Sequence, residues 1–187
     1  MMDRYIRRLL LATALGACTA ASTITSSRAG EPAFSDYGEA PEFSGIERWL
    51  NSDALSVRSL RGKVVLIDFW TYSCINCLRT LPYVTRWYDK FKDRGLVVIG
   101  VHTPEFGYEK SARNVQLAIG RNGIRYPVAQ DNQYATWKAF DNEYWPALYL
   151  IDRRGHLVLK HFGEGSYDET ERAIAALIDT ATTEAGK

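Results

Sequence analysis

The chain has 187 residues, of which 46% are hydrophobic and 24% are charged, and this composition is typical of one ordinary globular domain. The formal net charge of +1 leaves no basic surplus for a nucleic-acid surface, and no apolar run is as long as a transmembrane helix, which excludes a polytopic membrane protein. Three cysteines are too few for a disulfide-based scaffold, so the question is which two of them act together.

Residues 1–29 have the order of an export signal peptide: arginines, a mildly apolar stretch, and then small residues at Ser27 and Ala29. An amphipathic N-terminal helix of the mature fold is the alternative, which the lack of a helical apolar stripe disfavours. The pair Arg7-Arg8 resembles a twin-arginine signal, and the ordinary secretory route stays open. We therefore expect an exported protein of the periplasm or cell envelope.

A lipoprotein is the other possible outcome of export, because residues 15–18 resemble a lipobox that ends at Cys18. We prefer cleavage after Ala29, which removes Cys18 and leaves a slightly acidic chain with one cysteine pair, Cys74 and Cys77. Disulfides persist in an extracytoplasmic compartment, and a domain of this size folds without crosslinks, so the pair is free to serve chemistry.

The mature chain is predicted to consist of a lead-in segment at residues 30–45, rich in Gly, Pro and acids, and a domain at 46–187. Residues 64–70 form a near-continuous apolar run typical of a buried central strand, and apolar residues at helical spacing follow in 74–92. A second apolar strand at 96–101 completes a βαβ unit with parallel strands.

The remaining pattern predicts further helices and strands in alternation. They are a helix at 109–121, a strand at 126–129, a helix at 134–140, a hairpin of strands at 147–152 and 156–162, and a final helix from about residue 168. The expected fold class is α/β, a sandwich with a mixed central β-sheet flanked by helices.

Cys74 and Cys77 lie three positions apart where the central strand passes into a helix. Positions i and i+3 share a helix face, close enough for a disulfide. Cys74 at the helix N-terminus is expected to ionise readily and to attack a partner disulfide, and the more buried Cys77 then resolves the mixed disulfide.

Other roles for this pair are disfavoured. The three histidines lack the spacing of zinc ligands, Leu78 stands where haem attachment would need His, and a structural disulfide closing so small a loop would stabilise little. We expect no cofactor and no metal besides the redox-active pair itself. His102 is expected to pack or to cap a strand end.

Asp68 lies inside the apolar run, six positions before Cys74. Burial would raise the pKa of its carboxyl and suit it to proton transfer, and the alternative is an aspartate at a strand end that faces water. The Trp145-Pro146 bond would be trans by the general frequency of X-Pro bonds.

Residues 65–82, VLIDFWTYSCINCLRTLP, resemble the active-site region of thioredoxin-like proteins. The similarity covers about residues 40–180 and is greatest to the extracytoplasmic TlpA-like subgroup and to the soluble domain of DipZ-type proteins. It implies a thioredoxin-like three-layer sandwich with a TlpA-like helix-strand insertion at about 103–130.

The same resemblance implies the roles of single residues. Cys74 is the attacking cysteine, Cys77 the resolving cysteine, Asp68 the buried acid, and Pro146 a cis-proline facing the disulfide. Beside these catalytic residues, the partner protein is expected to contact Trp70, Tyr72, Ile75, Asn76 and Trp145.

The chain departs from its relatives in two ways. DipZ-type proteins carry a multi-span electron-conducting domain, so a separate membrane thiol carrier is the expected electron donor here. Many TlpA-like proteins have Glu where this chain has Thr80, so that position supplies no second acid to the thiols.

The expected function is that of a monomeric oxidoreductase, acting mainly as a reductant. Its expected partners are disulfide-bearing or dithiol proteins of the cell envelope, with no nucleic acid, and the resemblance implies a relation to cytochrome c biogenesis. Two alternatives remain: a thiol peroxidase, for which Thr71 fits the motif but Ile67 occupies the proline position, and a non-catalytic thiol-binding or chaperone module.

Overall fold

The computed structural model describes Pro32 and residues 34–184 of the chain. The predicted export signal at 1–29, with its arginine pair and Cys18, lies outside the described residues. Within the described part no helix is both long and apolar enough to span a bilayer, and no group of three or more His, Cys, Asp or Glu side chains is arranged to hold a metal ion.

The described part of the chain contains six strands and four α-helices. In order they are β1 (Arg48–Leu50), β2 (Val64–Trp70), α1 (Ile75–Phe91), β3 (Leu96–His102), α2 (Ala112–Arg121), β4 (Val128–Gln130), α3 (Ala135–Ala139), β5 (Ala147–Ile151), β6 (Leu157–Phe162) and α4 (Tyr167–Glu184). The strands form one sheet in the order β1-β4-β3-β2-β5-β6. β2 and β3 pair in parallel, as do β3 and β4, whereas the other neighbours are antiparallel. The predicted α/β fold with a mixed sheet is confirmed.

β2 is the central strand, and every one of its residues is buried. Alternate residues of a strand point to opposite faces. Leu66 and Trp70 therefore lie in the core cluster that α1 and α4 cover, whereas Ile67 and Phe69 pack in the cluster on the other face. Full burial of each such side chain contributes about 1.5–3 kcal/mol. The strand that precedes the cysteines is thus fixed on both faces.

The boundaries differ from the sequence prediction at one helix in a way that matters for the site. The helix expected at 109–121 is split into a 3₁₀ turn, Gly107–Lys110, and α2, because Ser111 is extended and caps α2 by accepting from the backbone N–H of Asn114. The short edge strand β1 has one exposed and two partly buried residues, and three residues are too few to show an alternating pattern in the sequence.

The lead-in segment pairs with the sheet. The backbone N–H groups of Ser35 and Tyr37 donate to the carbonyls of Val158 and Leu157, and that of Ala40 donates to the carbonyl of Gly155. Residues 35–40 therefore run along the outer edge of β6.

Candidate active site

The loops that carry the candidate residues meet at one edge of the sheet. Trp70, at the end of β2, is aligned with His102, at the end of the parallel strand β3. Ala147, at the start of the antiparallel strand β5, is aligned with Phe69 and with Phe162, at the end of β6. The segments that follow β2 and β3 and the segment that precedes β5 are therefore neighbours, and Cys74 lies among them.

Cys74 is the N-cap residue of α1. Its backbone is extended, with φ −73° and ψ 114°, and its Sγ accepts a hydrogen bond from the backbone N–H of Cys77 at 3.2 Å. Both cysteines are free thiols, Cys74 partly exposed and Cys77 buried. A sulfur at this position faces unpaired amide groups of the first helical turn, which favour an anion.

The pKa values of the two thiols are shifted in opposite directions. A hydrogen bond from the Cys77 thiol lowers the pKa of Cys74 to about 7; burial opposes this shift, the backbone N–H groups of Cys77 and Asn76 support it, and the charge of Glu105 opposes it. Burial raises the pKa of Cys77 far above its ordinary value, and the hydrogen bond to Cys74 raises it further. At neutral pH a large fraction of the Cys74 thiol is therefore ionised, whereas the buried Cys77 thiol keeps its proton.

Asp68 is buried under the same helix. It lies between Leu66 and Trp70 on the face of β2 that α1 covers, and among the described residues neither of its carboxylate oxygens has a hydrogen-bond partner. Burial, and then the charge of Cys74, raise the pKa of Asp68 to about 7. The alternative of an aspartate facing water is therefore wrong. A carboxyl that titrates near neutral pH can both accept and donate a proton.

Glu109, which the sequence analysis did not single out, contacts the segment that leads to Cys74. This buried carboxylate accepts from the Ser73 hydroxyl at 2.5 Å and from the backbone N–H groups of Glu105 and Phe106 at 2.6 and 2.8 Å. Burial raises the pKa of Glu109, but hydrogen bonds outweigh this effect and hold the pKa below its ordinary value. They come from the Ser73 hydroxyl, the backbone N–H of Phe106, the Thr71 hydroxyl and the backbone N–H of Glu105. The N-cap of the 3₁₀ turn is Phe106, three residues before Glu109. Because Phe is not one of the residues that mark a capping box in a sequence, no local signal identifies Glu109.

His102 is buried and packs against residues 71 and 72, which precede Cys74, as expected. Its Nε2 lies 3.3 Å from the Thr71 hydroxyl, and its ring stacks on Tyr72 at 5.6 Å. Burial lowers the pKa of His102 to about 4, although the charge of Glu109 opposes this shift. The imidazole is therefore neutral at pH 7.

The residues expected to contact a partner do not all reach the surface. Ile75 and Asn76 are exposed, and Tyr72 and Trp145 are partly exposed. The prediction that a partner contacts Trp70 is wrong, because its side chain is 0% exposed. The indole lies in the core against Gly100, where a Cβ would come within 2.9 Å of its nitrogen.

The Trp145-Pro146 peptide bond is cis, as the resemblance implied and contrary to the general frequency of such bonds. The Trp145 indole donates to the carbonyl of Thr103 at 3.0 Å and contacts Trp137 at a ring distance of 4.1 Å. These contacts tie the segment before β5 to the segment after β3. The Pro146 ring itself is buried.

A mixed sheet with a dithiol at the start of the helix after its central strand defines the class of thioredoxin-like thiol–disulfide oxidoreductases. The chain belongs to the AhpC/TSA family, whose model matches residues 38–160.

Named relatives agree with this class. Protein DipZ of Mycobacterium tuberculosis is 52% identical over 147 residues, 77% of this chain, and the chain spans 21% of that protein's length. The thiol-disulfide oxidoreductase YkuV of Bacillus subtilis is 34% identical over 125 residues, 67% of this chain and 82% of YkuV. A thioredoxin-like protein solved in solution in its oxidised form is 30% identical, with a TM-score of 0.69 over 76% of this chain and 95% of that one. The chain therefore belongs to the same family as these thiol–disulfide oxidoreductases.

Proposed function

We propose that this protein is an exported reductant that exchanges disulfides with partner proteins through Cys74 and Cys77. The observation that carries the proposal is the division of acidity between the two sulfurs: a partly exposed thiol with a pKa lowered to about 7 lies beside a buried thiol with a raised pKa. Such a pair supplies one thiolate for attack and holds the second thiol in reserve.

The proposed reaction has two steps. The Cys74 thiolate attacks one sulfur of the partner disulfide; that S–S bond breaks, and the other partner sulfur leaves as a thiolate that takes up a proton. Cys77 then gives its proton to the Asp68 carboxylate and attacks Cys74 Sγ, which breaks the intermolecular bond and releases the second partner thiolate. The partner gains two electrons, and the enzyme becomes the Cys74–Cys77 disulfide.

Support for Asp68 as the proton acceptor comes from its electrostatics. Its carboxyl, with a pKa of about 7, interacts with the charge of Cys74, and its charge in turn raises the pKa of Cys77. A base with a pKa near the ambient pH is present in its ionised form in a useful fraction and is still strong enough to accept a proton.

The cellular setting belongs to the same proposal. The signal-like residues 1–29 support export to the periplasm or cell envelope, with anchoring at Cys18 as the alternative. We expect a monomer with no nucleic-acid partner and no cofactor besides the dithiol, acting on disulfide-bearing envelope proteins and related to cytochrome c biogenesis. A separate membrane thiol carrier would supply two electrons to restore the dithiol.

The test is a trapping experiment in the native envelope. Cys77→Ser is expected to accumulate mixed disulfides through Cys74, and the double variant Cys74→Ser/Cys77→Ser is the matched control that traps nothing. Full retention of function by Cys77→Ser without trapped partners would favour the binding-module alternative and overturn the exchange mechanism.

Two further measurements address the direction and the peroxidase alternative. A reduction potential as high as the value of about −120 mV typical of a strong periplasmic oxidant would overturn the reducing direction. Rapid consumption of hydrogen peroxide by the reduced protein, lost in Cys74→Ser, would instead establish a thiol peroxidase.

A further inference from the structure

We propose that Phe106 and Tyr108 form a docking platform for the segment that flanks a partner's disulfide cysteine. The occupant is an extended segment with an aromatic or long aliphatic side chain and a Lys or Arg within about three residues of that cysteine. This inference rests on the proposed function, because it assigns the partner class of the same dithiol.

The platform is an exposed aromatic pair in the 3₁₀ turn after β3. Phe106 is 49% exposed and Tyr108 is 59% exposed, and their rings stack with centroids 5.5 Å apart and planes 6° apart. A scattered exposed apolar residue needs no explanation, but two adjoining aromatic faces form an apolar surface of the kind that marks interaction sites. Aromatic side chains are also common anchors of protein interfaces.

Two hydrogen bonds place this platform beside the nucleophile. The Tyr108 hydroxyl lies 3.1 Å from the Ser73 hydroxyl, and the Tyr72 hydroxyl donates to the Tyr108 carbonyl at 2.9 Å. Ser73 directly precedes Cys74. The platform is therefore only one residue away from the reacting sulfur.

The buried Glu109 carboxylate makes the platform rigid. It accepts hydrogen bonds from the backbone N–H groups of Glu105 and Phe106, next to the platform, and from the hydroxyl of Ser73, next to Cys74. Fixing a binding surface before the partner arrives reduces the ordering cost of association.

The geometry of a mixed disulfide identifies the occupant. Its two Cα atoms are about 4.4–6.8 Å apart, and an extended chain advances about 3.3–3.6 Å per residue. Residues within about three positions of the partner cysteine must therefore lie over the surface that adjoins Cys74, and this surface includes the platform. The partner's own cysteine segment is the chain that chemistry brings there.

The charge of Glu105 is the reason that the proposed partner segment contains a Lys or Arg. Glu105 directly precedes the platform residue Phe106, its side chain is exposed, and its charge raises the pKa of the Cys74 thiol. A Lys or Arg near the partner cysteine would pair with this carboxylate and would remove its opposition to the Cys74 thiolate.

The test compares disulfide substrates in single turnovers of the reduced full-length protein, followed by acid quench and mass spectrometry. The substrates are hydroxyethyl disulfide and disulfide-linked peptides that carry Phe two residues before Cys, matched to peptides with Ser there. Phe106→Ser/Tyr108→Ser is expected to lower the ratio of the Phe-peptide rate constant to the hydroxyethyl disulfide rate constant about tenfold, and to abolish the preference for Phe over Ser.

Two variants control this result. Tyr37→Ser removes an aromatic residue that is 50% exposed, in the lead-in segment, and is expected to leave both rate constants unchanged. Tyr108→Phe keeps the ring and loses the hydroxyl, and is expected to keep the Phe preference. An unchanged rate ratio in Phe106→Ser/Tyr108→Ser would overturn the docking proposal, whereas a wild type that reduces neither disulfide would overturn the proposed function instead.

The charge component has its own comparison. Peptides with Lys or Gln two residues after Cys are expected to react at rates that differ several-fold in the wild type at low salt and that become equal in Glu105→Gln. The use of a ratio between peptides cancels the effect of Glu105 on the Cys74 thiol. Equal rates in the wild type would overturn the requirement for a basic residue.

Discussion

The Ser73 hydroxyl donates to the buried Glu109 carboxylate over 2.5 Å, so an acid carried by the segment after β3 holds the residue that precedes Cys74. The same carboxylate accepts two backbone N–H groups. These hydrogen bonds are partly buried, and a donor there that loses its acceptor costs about 1–3 kcal/mol.

Glu109→Ala is therefore expected to lower the free energy of unfolding by about 1–3 kcal/mol at pH 7, measured by denaturant titration of the reduced protein. Because the pKa of Glu109 is lowered in the fold, its contribution is present above its ordinary pKa of 4.5 and is lost as the pH falls through the lowered value. The exposed Glu105→Gln is the control and is expected to change stability by less than about 0.5 kcal/mol. Equal effects of the two variants would contradict the anchoring role.

The acidity of Cys74 predicts the pH dependence of its alkylation. The rate of reaction with iodoacetamide is expected to rise with pH with a midpoint near 7, well below the ordinary thiol value of 9.0. Cys77→Ala removes the strongest hydrogen bond to this sulfur and should move the midpoint upward, whereas Cys77→Ser keeps a donor and should move it less. Glu105→Gln should move it downward. A midpoint near 9 in the wild type would refute the assigned acidity.

Asp68 predicts a loss of stability with rising pH. Its pKa is about 7 in the fold against an ordinary value of 3.8, so between these values the unfolded chain releases the proton first and the folded state is penalised. The difference between these two pKa values corresponds to a destabilisation on the order of 4 kcal/mol, which is absent below pH 4 and complete above pH 7. Asp68→Asn is expected to remove this dependence of stability on pH. It is also expected to slow the attack of Cys77 that releases a partner from the mixed disulfide.

Unfolding free energies at pH 4, 6 and 8 measure the effect. Asp53→Asn, at an exposed aspartate, is the control and should keep the wild-type slope. An unchanged slope in Asp68→Asn would show that this carboxyl titrates normally.

Gly100 predicts a packing effect beneath Trp70. A Cβ there would meet the Trp70 indole nitrogen at 2.9 Å and the Tyr126 ring at 3.2 Å, so Gly100→Ala is expected to destabilise by about 1–3 kcal/mol. Gly120 lies within α2 with nothing within 4 Å of a Cβ, and Gly120→Ala should instead stabilise by up to about 1 kcal/mol. Thermal unfolding of the two variants distinguishes these signs.

Local patterns predicted the central strand and the dithiol. The apolar run gave Val64–Trp70 with both ends correct, and the spacing of Cys74 and Cys77 placed them at the start of the following helix. These features depend on residues adjacent in sequence, where the periods of strands and helices apply directly.

Features that depend on pairing between distant segments were not predicted. Trp70 was expected to contact the partner, but Gly100 on the neighbouring strand leaves room for its indole in the core. Glu109 contacts a residue 36 positions earlier, and no local pattern shows which side chain it will bind. The burial of Asp68, by contrast, was predicted from the apolar run that contains it, and α1 covers its face of the sheet.

The hydrogen bonds between residues 35–40 and β6 have a consequence for how a partner approaches. They occupy backbone groups along one outer edge of the sheet, and the strand at the other edge, β1, is only three residues long. Edge strands that are short or covered resist the addition of a foreign strand. Extension of the sheet by a foreign strand is therefore disfavoured at both edges, and the proposed exchange at Cys74 relies on the loops at the end of the central strand instead.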